Sequence, residues 1–76
     1  MEYELRDWYD NSGCLYTNDR RVKDLALQSG ELSVVATYFK SVTESQPFAW
    51  DIVGPRPMLA GISRRFTSTA RRARRA

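Results

Sequence analysis

Seven arginines, Arg56, Arg64, Arg65, Arg71, Arg72, Arg74 and Arg75, are the only charged residues between position 52 and the last residue, 76. A guanidinium presents a planar fork of donors that matches phosphate oxygens two at a time and stacks on bases, whereas lysine offers a compact point charge. An all-arginine segment without a single acid therefore points to a polyanion, and DNA or RNA is the natural ligand. Phosphate contacts of this kind give affinity that falls with salt and carry little sequence information. We single out Arg64, Arg65, Arg71, Arg72, Arg74 and Arg75 as the nucleic-acid-binding residues, against the alternatives of a solvated, solubilising tail and of a patch for anionic lipid or an acidic protein surface.

The other chemistry available to the chain is sparse. There is no histidine, which removes the commonest general base and metal ligand, and the lone Cys14 cannot build a cysteine cluster. Asp7 and Asp10 are near each other but flank a turn, where acids are usually surface charges. Gly13, Gly30, Gly54 and Gly61 are too scattered to form a phosphate-cradling loop. The sequence predicts a non-enzyme with no cofactor, no metal and no small-molecule substrate.

Composition sets further bounds. The formal charge of +3 conceals a dipole, because residues 1–51 carry five bases against nine acids and residues 52–76 carry seven bases and no acid. Such asymmetry suggests a polyanion-binding segment on a differently charged body. One domain is expected, since 76 residues support a single marginal core that a partner or a second copy would stabilise. One cysteine fits a reducing, cytoplasmic setting. The acidic Glu2 and Glu4 do not suit a signal peptide, and no apolar run is long enough for membrane insertion.

Turn signals and periodicity mark the elements that position these residues. Asp10-Asn11-Ser12-Gly13 is a concentrated turn signal between Tyr3–Tyr9 and Cys14–Tyr16, predicting an N-terminal hairpin. Thr17, Asn18 or Asp19 can cap a helix with Val22, Leu25 and Ala26 on one face, ending at Gly30. A second helix is predicted over 31–44, where Leu32, Val35, Ala36, Phe39 and Val42 form a stripe and Pro47 follows. Phe48–Val53 reads as a short strand or extended segment, and Gly54-Pro55-Arg56-Pro57 as an elbow. Beyond it, Leu59, Ile62, Phe66, Thr69, Ala70 and Ala73 would share one side of a basic C-terminal helix, or of a tail that folds on binding.

The fold class expected is thus α+β and mainly helical, with a compact acidic body over 1–57 and an arginine-rich helix or tail over 58–76. The two central helices would pack as an αα-hairpin or as a helix-turn-helix-like pair. Leu25-Ala26 with the Ala26-to-Gly30 spacing resembles a helix-turn-helix, and Val22-Lys23-Asp24-Leu25-Ala26 with Tyr38-Phe39-Lys40-Ser41 is similar to the TetR-type DNA-binding domain. The Thr69–Arg75 run resembles arginine-rich helical peptides that enter RNA grooves. Against DNA reading, the would-be recognition helix offers Glu31, Ser33 and Thr37 where base-reading side chains belong.

Aromatic residues supply a second candidate surface. Val34 and Tyr38, together with Trp8 and Trp50, are candidates for a protein-binding face, against the alternative that they fill the core. Three functional readings follow. The first is a small regulator that grips DNA or RNA by its arginines and binds a larger protein or a second copy through its body. The second is an inhibitor or adaptor of the viral or mobile-element kind, acting through the acidic aromatic body. The third is a structural subunit of a nucleoprotein particle.

Overall fold

A computed structural model describes residues 2–75, with side chains described over 2–67. In chain order the elements are β1 (Tyr3–Asp7), β2 (Ser12–Thr17), α1 (Arg20–Gln28), β3 (Ser33–Tyr38), β4 (Ala49–Pro55) and α2 (Arg56–Arg75). The strands form one sheet in the order β1-β2-β4-β3, antiparallel throughout. Both helices contribute to a core on one face of this sheet.

The hairpin forms where the turn signal predicts it. Asp10 takes φ 53, a left-handed conformation that an aspartate tolerates better than most residues. Ser12 N–H closes the turn on the Tyr9 carbonyl at 3.0 Å. Strand alternation then sorts the side chains. Leu5, Leu15, Ile52 and Val34 lie in one cross-strand row, and Leu15 and Ile52 are fully buried. Val22 and Ala26 of α1 and Leu59 of α2 close over that row, with Trp50 and Leu32 beside it. The strand expected over 48–53 is β4, and its alternate residues Trp50 and Ile52 face this core.

The largest correction concerns 31–44, which is not a helix. β3 occupies Ser33–Tyr38, and a loop leads from it to β4. Within this stretch Val34, Val35, Thr37 and Tyr38 are β-branched or aromatic, types that lose side-chain freedom in a helix and fit a pleated surface. The helical stripe proves to be no buried face, since Val35, Phe39 and Val42 are exposed at 53%, 46% and 103%. Val34, which that stripe left out, pairs with Ile52 and packs on the core. A bulge between Val34 and Ala36 shifts the register, so that Val34 and Tyr38 lie on opposite faces.

The mainly helical class is therefore wrong: the fold is a four-stranded antiparallel sheet with two helices. With no second central helix, neither an αα-hairpin nor a helix-turn-helix is present among the described residues, and the TetR-type likeness has no structural counterpart. α1 itself starts where expected, with Asp19 as N-cap, but it stops earlier. Its C-cap is Ser29 in an extended conformation, whose N–H reaches the Leu25 and Ala26 carbonyls, and Gly30 has no positive φ.

The Gly54-Pro55-Arg56-Pro57 segment does not stand apart from the sheet. β4 runs through Pro55 and α2 opens at once with Arg56, placing Pro57 in the first helical turn, where a missing N–H leaves no helical bond unmade. Gly54 is required by close approach. A Cβ there would collide with Leu32 Cδ2 and come within 3.0 Å of the Glu31 carbonyl oxygen. Gly54→Ala is expected to destabilise the domain by about 1–3 kcal/mol, read as a lower urea midpoint at unchanged slope.

Candidate nucleic-acid interface

α2 is held to the sheet by its first half. Leu59 is fully buried, and Met58, Ile62 and Phe66 pack against the same core, a spacing that keeps them on one face of a helix. Arg64 and Arg65 are exposed. Arg71, Arg72, Arg74 and Arg75 belong to the same helix, Arg56–Arg75, but their side chains lie outside the described residues. Arg56, at the helix start, forms an ion pair with Asp7 of β1 and ties the helix to the hairpin. Leu59→Ala is expected to lower stability by about 3 kcal/mol, because the sheet cannot collapse into the space left. A urea titration followed by circular dichroism measures it.

Phe66 joins α2 to the start of α1. The Arg21 guanidinium carbon stands 4.9 Å from the centre of the Phe66 ring, and that of Arg65 stands 5.5 Å away. Arg21 is fixed from its other side by Asp19, with Nε donating to Oδ1 at 3.0 Å and Nη2 to Oδ2 at 2.7 Å. Arg21 of α1 and Arg65 of α2, far apart in sequence, thereby meet at one aromatic ring. No local signal in the sequence places Arg21 beside α2, because the two elements are brought together only by the fold.

Asp19 anchors this arrangement. It is 1% exposed, accepts the Arg21 backbone N–H at 3.0 Å as helix cap, and accepts the Tyr3 hydroxyl at 2.5 Å. Its own N–H donates to Thr17 Oγ1 at 3.0 Å. Burial alone would push the Asp19 carboxyl up, but hydrogen bonds from Arg21 and Tyr3, with the charge of Arg21, hold it below its ordinary value. The same contacts raise Arg21. Tyr3 is raised as well, by burial and by its bond to Asp19. The sequence marked Asp19 as a possible cap; the partnership with Tyr3, sixteen residues earlier, has no local signal.

The helix-free face of the sheet holds the second polar group. Asp51, 7% exposed, accepts the Tyr38 hydroxyl at 2.5 Å on Oδ2 and faces Arg6 Nη2 at 3.6 Å from Oδ1. Tyr16 meets Tyr38 edge to face, ring centres 5.5 Å apart. Cys14 is buried beneath this layer, and burial followed by the Asp51 charge pushes its thiol up, away from the reactive thiolate. The four protein-binding candidates are not brought together. Trp50 is buried at 4% and Val34 packs on the core. Tyr38, at 37%, lies on the opposite face, and Trp8, at 45%, sits at the hairpin turn against Tyr9, which is 77% exposed.

No known protein-family model, curated protein or solved structure matches this chain. Among the described residues no group of His, Cys, Asp or Glu could hold a metal ion, and no helix is long and apolar enough to cross a membrane.

Proposed function

We propose that the chain is a small non-enzymatic regulatory protein associated with nucleic acid, in which α2 grips DNA or RNA phosphates and the sheet body binds a protein. The observation that carries this reading is the build of α2. One helix is locked into the core by Leu59 and Phe66 and carries arginine as its only charge type. A donor array on an anchored helix loses less freedom on binding than one on a free tail. The meeting of Arg21 and Arg65 at the Phe66 ring supports it further, since it sets a base of α1 beside one of α2. Arg21 already spends two donors on Asp19, so its part is to hold the surface together more than to grip.

Specificity is assigned to the body. The exposed Trp8 and Tyr9 at the hairpin turn have the composition of an interface hot spot, and they stand on the acidic part of the chain. The test is binding of the full chain to generic duplex DNA and to single-stranded and duplex RNA across a salt series. A variant with Arg71, Arg72, Arg74 and Arg75 changed to glutamine is measured in parallel. Tail-dependent binding that weakens with salt supports the proposal, and equal, negligible binding by both chains refutes it.

A further inference from the structure

We propose that β3 is the pairing edge of a homodimer, in which two copies join their sheets antiparallel along Ser33–Tyr38. The sheet has two edges, β1 and β3, and they are built differently. β1 carries Glu4, Arg6 and Asp7 within five residues, and inward or edge charges are the usual device that blocks strand addition. β3, with the sequence SVVATY, has neither charge nor proline. The Tyr38 carbonyl accepts the Phe48 N–H at 2.8 Å and so points into the sheet. By strand alternation the N–H and C=O of Thr37 point out, toward an incoming strand.

Exposed apolar side chains collect at this edge. Val35, Tyr38 and Phe39 lie on or next to β3, Val42 follows in the loop, and Leu27 projects from α1, which packs on β3. Tyr38, Phe39 and Val42 also border a shallow concavity beside the strand. The bulge between Val34 and Ala36, which elsewhere protects an edge, here leaves Val35 exposed at 53%.

The occupant is read from the charges that bracket the strand. Glu31 precedes β3 and Lys40 follows it. Antiparallel pairing of two copies about a two-fold axis near Ala36 brings Glu31 of each beside the partner's Lys40, so that one contact is made twice. Parallel pairing would set like charges together. The strand is self-complementary, which a site for an unrelated peptide has no need to be. A continuous eight-stranded sheet would also enlarge the core available to a chain of marginal size.

Sedimentation equilibrium of the full chain, freed of nucleic acid, tests this between about 1 μM and 1 mM. The expected result is a mass rising from monomer to dimer. Val35→Lys should remain monomeric with an unchanged circular dichroism spectrum. Glu31→Lys should weaken dimerisation about tenfold at low salt, and adding Lys40→Glu to it should restore the affinity. A chain that stays monomeric throughout overturns the proposal. So does a dimer that neither Val35→Lys nor Glu31→Lys disturbs. Nucleic-acid binding by α2 is unaffected by either result.

Discussion

Asp19→Ala should destabilise the protein by about 3 kcal/mol, of which about 1 kcal/mol is the lost helix cap and the rest the broken buried pair. For a domain of this length, with a total of roughly 4–11 kcal/mol, that is a large share of the margin. The alanine leaves the Arg21 N–H without its cap, the Tyr3 hydroxyl without its acceptor and the Arg21 guanidinium without its carboxylate. Since Arg21 is half exposed, water takes up part of the loss, and the figure stays at the low end for a buried ion pair. Asp19→Asn keeps an oxygen for the cap and should fall between wild type and alanine. Urea unfolding ranks the three.

Acid reveals the same group. The Asp19 carboxyl sits below its ordinary value in the folded protein, so the unfolded chain takes up its proton first. Its contribution is complete above the unfolded value near 3.8 and is lost as pH falls through the lower folded value. The gap between wild type and Asp19→Ala should accordingly be widest near neutral pH and narrow from about pH 4 downward. A gap that stayed constant to pH 2 would show that the charge of Asp19 contributes nothing.

The second large effect is on binding. Changing Arg71, Arg72, Arg74 and Arg75 to glutamine removes four charges without shortening the helix, and glutamine is as good a helix former as arginine. If each arginine neutralises one phosphate, affinity for generic nucleic acid at about 0.1 M salt should drop by roughly a thousandfold. The stability of the fold should hardly change, because the contacts that seat α2 are made by Met58, Leu59, Ile62 and Phe66. Arg56→Gln is the contrasting case. Its partner is Asp7, so it should leave binding nearly intact.

What could be read from sequence followed the locality of each signal. The hairpin was legible because Asp10-Asn11-Ser12-Gly13 makes a turn with its own atoms, and α1 because Asp19 caps it within three residues. The docked face of α2 was visible in the spacing of Leu59, Ile62 and Phe66. β3 was not. Leu32, Val35, Ala36, Phe39 and Val42 happen to repeat at helical spacing, and the β-branched Val34, Val35 and Thr37 were outweighed by that coincidence. The bulge at Val35 breaks the two-residue alternation that would have marked a strand.

The polar networks were invisible for a different reason. Tyr3 with Asp19, Tyr38 with Asp51, and Arg21 with Phe66 are contacts between separate elements, created by strand order and helix docking. Sequence left the arginine segment beyond the proline elbow as either a basic helix with one apolar side or a tail that folds on binding. Structure shows Leu59 of that segment fully buried, so that the candidate grip and the core are parts of one helix.

The central claim is that α2 binds nucleic acid through arginine–phosphate contacts, and the slope of log K against log salt tests it most directly. The full chain should give a slope near −4 to −6 on duplex DNA, and the variant lacking Arg71, Arg72, Arg74 and Arg75 should be shallower by about 3. Identical slopes for the two chains, or no binding by the full chain at low salt, would contradict it.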